Sequence, residues 1–123
     1  MSPEEKDFSE AIEAYEELLH SETQAIVAAD LDKLDEILEA KDAAMQAALD
    51  ARNALEDDPR DNPALNDLLN RVIEVQSRNA QTFDNLITAH SKDEEETPER
   101  ARLRKVRDAY STHLGNGGKR LEV

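Results

Sequence analysis

An apolar stripe at helical spacing changes phase at Ala29-Asp30-Leu31, in the middle of roughly fifty residues of uninterrupted helix former. Upstream, the stripe reads Phe8, Ile12, Tyr15, Leu19, Glu22, Ile26 and Ala29, spaced alternately four and three. Carried onward, that register gives Lys33, Ile37, Ala40, Ala44, Ala47 and Ala51. Restarted at Leu31, it gives Leu31, Leu34, Leu38, Lys41, Met45, Ala48, Arg52 and Leu55, which buries the larger side chains. The pattern therefore predicts two helices of nearly equal length folded back on each other, with Asp30 as the N-cap of the second. The competing organisation is one continuous rod of about 80 Å that dimerises as a coiled coil, with Lys33 and four alanines in its seam.

Three proline pairs extend this reading. Ser2-Pro3, Asn62-Pro63 and Thr97-Pro98 each place a capping side chain before a proline. Proline at the first helical position loses nothing, because that N–H has no intrahelical acceptor. Ser2 and Glu5 also have capping-box spacing. The expected helices are about 3–29, 31–55, 63–91 and 98–114, separated by a break near Ala29, by Glu56-Asp57-Asp58-Pro59-Arg60-Asp61 and by Lys92-Asp93-Glu94-Glu95-Glu96. The fold class is all-α: an antiparallel helical hairpin extended to a three-helix bundle, with a short fourth C-terminal helix. Residues 1–114 form one domain, and the tail 115–123, which opens with Gly115-Asn116-Gly117-Gly118, is expected to be disordered. The third helix carries Leu65, Leu69, Val72, Gln76, Asn79, Phe83, Leu86 and His90 at heptad spacing. Gln76 and Asn79 interrupt that seam, where they could fix register or coordinate a bound segment.

Charge and composition narrow the function classes. The formal charge is −14, with nineteen acidic and five basic side chains in residues 1–61 and ten of each in 62–123. Phosphate backbones and anionic bilayers require a basic face, so no nucleic acid and no membrane insertion is expected. No stretch approaches the ~20 apolar residues of a membrane span, and the acidic start MSPEEKDFSE lacks an apolar leader core, which points to the cytoplasm. The absence of cysteine agrees with that compartment and removes thiolate chemistry. Arg100, Arg102, Arg104, Lys105 and Arg107 form a local basic run, read as a solvated face or as a contact with the acidic hairpin of the same chain.

The chain offers little chemistry. His20, His90 and His113 lack the i+4 partner of helical zinc proteases. Glu17 and His20 have the Glu-x-x-His spacing of di-iron bundles, but Ile87 precedes His90 and Tyr110 precedes His113 where a second copy would need a carboxylate. No serine lies in a nucleophile elbow, and three glycines build no phosphate-cradling loop. Nearly all Asp and Glu residues read as solvated helix faces. The expectation is a protein that is not an enzyme and takes no metal or cofactor. The second helix bears a face of small residues, Ala40, Ala43, Ala44, Ala47, Ala48, Ala51 and Ala54, which suits close intramolecular packing or a shallow groove for a partner's amphipathic helix.

The segment Glu22 to Lys41 resembles the FlgN family of flagellar export chaperones. That family typically ends a helix in a small residue plus Asp, here Ala29-Asp30, and continues with Leu-x-x-Leu, here Leu31 to Leu34, an apolar pair and a Lys, here Lys41. Gly often occupies the position of Ala29. An Arg-Asn pair (Arg78-Asn79) before a Leu-Ile step (Leu86-Ile87), and a Tyr shortly before a C-terminal Gly (Tyr110 and Gly115), follow in the same order. The resemblance covers about residues 8–115. It implies a cytosolic chaperone that binds hook–filament junction proteins, prevents their premature assembly, and delivers them to the export apparatus of type III secretion. It places client contacts on Leu103, Val106, Tyr110 and Leu114 of the C-terminal helix. The alternative is a non-enzymatic helical-hairpin or coiled-coil adaptor that acts as a homodimer.

Overall fold

A computed structural model describes residues 1–90, 98, 101–102 and 104–108. The described chain is all-helical, with three long helices: α1 (Pro3–Val27), α2 (Leu31–Asn53) and α3 (Pro63–His90). A one-turn 3-10 helix, Pro59–Asp61, precedes α3, and residues 101–102 and 104–108 are also helical. The expected tail 115–123, and with it Leu103, Tyr110 and Leu114, lies outside the described residues.

Each start has a local cause. Ser2 Oγ accepts the Glu5 N–H and Glu5 Oε1 accepts the Ser2 N–H, both at 3.1 Å, completing the capping box of α1. Asp30 accepts the Lys33 N–H at 3.1 Å to open α2. Asn62 accepts from Ala64 and Leu65 to open α3, at 3.0 and 3.4 Å. Asp58 does the same for the 3-10 turn, accepting the Arg60 N–H at 2.9 Å. Pro59 therefore obeys the cap-then-proline rule that the sequence reading assigned to the other three prolines, and the acidic break contains a turn of its own. The Asn62 amide also donates to Glu5 Oε2 at 2.8 Å, which ties the start of α3 to the start of α1.

The phase change in the stripe marks a break between two helices; α1 and α2 are not one rod. α1 stops at Val27, two residues short of the expected end, because two carbonyls of its last turn are taken by the exit. The Ala29 N–H bonds Ile26 O at 3.0 Å and the Asp30 N–H reaches back to Ala25 O at 2.9 Å, a Schellman closure. That closure puts Ala29 at φ 53, in the left-handed region glycine occupies without penalty. Asp30 then serves both helices, with its N–H closing α1 and its side chain capping α2. α2 ends at Asn53, two residues before the expected limit, and α3 runs to His90, the last described residue before 98.

The core falls into two apolar clusters. The first joins Phe8, Ile12, Tyr15 and Leu19 of α1, Met45 and Ala48 of α2, and Leu65, Leu68, Leu69, Val72 and Val75 of α3. The second joins Ala25 and Ile26 of α1, Leu31, Leu34, Ile37 and Leu38 of α2, Phe83 of α3, and Val106. The restarted register is the buried one: Leu31, Leu34, Leu38, Lys41, Met45 and Ala48 all lie inside, joined by Ile37. The alanine face of α2 divides, with Ala48 buried, Ala44 and Ala51 half-buried, and Ala40, Ala43, Ala47 and Ala54 exposed.

The turn supplies a direct test. A non-glycine residue in the left-handed region costs about 1–2 kcal/mol, while glycine costs about 0.4–1 kcal/mol through the unfolded chain. Ala29→Gly should therefore stabilise the protein by about 0.5–1 kcal/mol, and Asp30→Ala should destabilise it by about 1 kcal/mol through the lost cap. Urea unfolding midpoints of the two variants, shifted in opposite directions, are the expected result.

Candidate functional site

Glu22, Lys41 and Asn79 lie between the two apolar clusters, one on each long helix. Along α1 the order is Leu19, Glu22, Ala25; along α2, Leu38, Lys41, Met45; along α3, Val75, Asn79, Phe83. All three polar residues are buried, Glu22 and Lys41 completely. Stripe periodicity explains the placement, since Glu22 and Lys41 occupy inward positions of their own helices and have no outward alternative.

The layer is closed by complementary bonding. Lys41 Nζ donates to Glu22 Oε2 at 2.8 Å. The Asn79 amide donates to the other carboxylate oxygen, Oε1, and to Leu19 O, both at 2.9 Å. The Thr23 hydroxyl lies 2.7 Å from Asn79 Oδ1 and 3.0 Å from Leu19 O. One turn away, the Tyr15 phenol donates to Gln76 Oε1 at 2.5 Å, and Lys41 Nζ sits 5.5 Å from the centre of the Tyr15 ring, within cation–π range. Among the described residues every buried side-chain nitrogen and oxygen has a hydrogen-bond partner. Gln76 and Asn79, which interrupt the α3 seam, thus pair with α1.

Burial shapes the titration of the layer. It pushes the Lys41 ammonium below its ordinary value, with the Glu22 charge and hydrogen bond and the Asp42 charge opposing that shift. It pushes the Tyr15 phenol up, and the charges of Glu22 and Asp42 push the same way. On the surface, a hydrogen bond from Arg71 holds the Glu16 carboxyl below the usual range, with Arg71 Nη2 3.0 Å from Glu16 Oε1.

Of the residues expected to contact a client, Val106 is the one within the described chain. It is buried, packed in the second cluster with Ile26, Leu31, Leu34, Ile37, Leu38 and Phe83. Arg102 on the same segment pairs with Asp32 of α2, both side chains being solvent-accessible. The basic run is thus in contact with the acidic first half at this point, while Arg104, Lys105 and Arg107 are exposed. Leu103, Tyr110 and Leu114 lie outside the described residues. Sequence reasoning missed the Glu22–Lys41 pair. Its signal is present, an acid and a base at inward stripe positions of successive helices, but each is read there only as a member of its own stripe.

Among the described residues, no three His, Asp or Glu side chains are placed to hold a metal ion, and no helix is long and apolar enough to cross a membrane. No family model, curated protein or solved structure matches the chain.

Two outcomes follow from the layer. Lys41→Met leaves a buried carboxylate without its cation and should cost about 3–5 kcal/mol, whereas Lys41→Met combined with Glu22→Leu should recover most of that loss. A double variant as unstable as the sum of the two singles would show the pair to be uncoupled. The second outcome concerns alkaline pH. With its pKa raised in the folded state, Tyr15 keeps its proton after the unfolded chain has lost it, so its contribution is complete below about pH 10 and declines above. Urea titrations between about pH 9 and 11.5 should show a shallower decline for Tyr15→Phe than for the parent chain.

Proposed function

We propose that the chain is an antiparallel helical hairpin of α1 and α2, extended to a three-helix bundle by α3, and that residues 98–114 form a short fourth helix that docks on it. In this reading it is a non-enzymatic cytoplasmic export chaperone of the FlgN type. It holds helical terminal segments of flagellar hook–filament junction proteins, blocks their premature assembly, and passes them to the export apparatus. The hairpin is supported by the pairing of opposite ends: Phe8 and Ile12 share a cluster with Met45 and Ala48, while Ile26 shares one with Leu31 and Leu34.

The contact that carries the functional reading is Val106 in the second cluster. An isolated helix of about seventeen residues is marginal in water, so residues 98–114 need an apolar surface to fold against. Burying one valine contributes about 1.5–3 kcal/mol, and the accompanying Arg102–Asp32 pair is surface-exposed and adds at most about 1 kcal/mol. A contact of that strength is exchangeable. A client's amphipathic helix can take the place of the bundle against Val106, which is how helix-in-groove partners recognise one another. The flagellar identity of the client rests on the resemblance of Glu22 to Lys41, Arg78-Asn79 and Tyr110 to the FlgN pattern.

The test is calorimetric titration of the full chain with terminal segments of junction proteins from the same organism. A soluble complex is expected. Val106→Asp should weaken it by about tenfold or more while far-UV circular dichroism stays close to the parent's. If every junction segment fails while unrelated amphipathic helices bind, the flagellar assignment is wrong. If a chain lacking residues 98–123 binds as well as the parent, the client site lies elsewhere, and the exposed Ala40, Ala43 and Ala47 on α2 become the first place to look.

A further inference from the structure

The two apolar clusters are separated by a complete polar layer, and they differ in what closes them. The first is built from α1, α2 and α3 alone, while the second includes Val106 from the C-terminal segment. Any event that withdraws Val106 therefore begins by wetting Ile26, Leu31, Leu34, Ile37, Leu38 and Phe83. How far the wetting travels depends on what lies next.

We infer that the Glu22–Lys41–Asn79 layer is an internal stop, which confines opening of the core to the half containing Val106 and leaves the other half closed. The reason lies in the cost of the exposed edge. Where an opening core stops at hydrocarbon, the newly wetted face costs free energy in proportion to its apolar area, so no position along an all-apolar seam is favoured over the next. Where it stops at Glu22, Lys41 and Asn79, water meets a carboxylate, an ammonium and an amide, which it solvates without penalty. The Lys41 ammonium, 5.5 Å from the centre of the Tyr15 ring and bonded to Glu22, already sits at the edge of the first cluster, where water can reach it without Tyr15 being uncovered. Going further would break the bonds from Asn79 to Leu19 and Glu22 and from Tyr15 to Gln76, and would expose Phe8, Ile12, Met45 and Leu65. The first cluster is thus a self-contained unit with a polar end wall, and the second is a separable unit that can be remodelled at the C-terminal contact. This inference stands apart from the flagellar reading, since it requires only that Val106 can be withdrawn.

Hydrogen exchange read by mass spectrometry on the full chain tests it without any client. Val106→Asp withdraws the contact. In the native-layer background, exchange should rise by about tenfold or more in residues 25–38 and 83–90 and stay within about twofold of the parent in residues 8–19, 45–53 and 65–75. The same substitution is then made in a chain whose layer is apolar, Glu22→Leu with Lys41→Met and Asn79→Leu, or Glu22→Leu with Lys41→Met alone if the triple change does not fold. There, both halves should respond together. A rise across both halves in the native-layer background overturns the inference. So does confinement that persists after the layer has been made apolar, because the boundary would then owe nothing to these residues.

Discussion

The buried ion pair between Glu22 and Lys41 is the constraint on which the rest of the molecule depends. Two charges removed from water are tolerated only when each meets the other in good geometry and the remaining polar atoms are satisfied. Here one carboxylate oxygen takes the lysine and the other takes Asn79, whose second amide proton goes to Leu19 O. The requirement fixes one point on each long helix. A slip of one turn along α2 would set Glu22 opposite Leu38 or Met45 and leave the lysine among hydrocarbons. Apolar side chains alone carry no such instruction, because Leu, Ile and Ala at stripe positions accept one another in several registers. The layer therefore supplies positional information, and the two clusters supply most of the burial.

Much of the helical organisation is legible in the sequence because it is written in local chemistry. The stripe and its restart depend on spacing within one helix. The caps depend on residues three apart, as in Ser2 with Glu5, Asp30 with Lys33, and Asn62 with Leu65. Prolines 3 and 63 mark starts for a reason internal to the first turn. The polar layer was not legible in the same way. Glu22 and Lys41 are nineteen positions apart, and Asn79 lies 57 positions beyond Glu22. The stripe shows that each points inward, but not that they meet. That meeting depends on where the chain turns, which is a tertiary fact. The expectation that nearly all acidic residues are solvated faces was sound for most of α1 and α2, and Glu22 is the residue where a base on the neighbouring helix overrides it.

The turn illustrates how few residues separate two helices from one rod. Nothing in the propensities of Val27, Ala28 and Ala29 ends a helix, since alanine is the best helix former. What ends it is the gain on the far side. Asp30 can accept the Lys33 N–H only if it leaves the helix, and Leu31 and Leu34 can join Ile26 only if the register restarts. The chain accepts an alanine at φ 53 to reach that arrangement. A locally unfavourable backbone is held in place by the cap and the cluster that follow it, so the turn is stable only while the second cluster is intact. This makes the end of the molecule near Ala29 the one where local structure and the packing of Val106 are most closely coupled.

Charge gives the same end its chemical character. Fourteen of the nineteen acidic residues among the first 61 lie on α1 and α2, and their mutual repulsion works against compaction. A basic segment laid against α2, as Arg102 is against Asp32, relieves part of it while its valine closes the core. The two effects respond differently to solution conditions. Salt screens the attraction over roughly 8–10 Å at physiological strength but leaves the apolar contact largely unchanged. It also reduces the repulsion between α1 and α2, so their packing tightens as the hold on the basic segment loosens. A helix that competes for this surface would be steered by its own basic residues and retained by its apolar ones. Discrimination among such helices would then rest on the shape of the second cluster, since an acidic field attracts every basic helix alike.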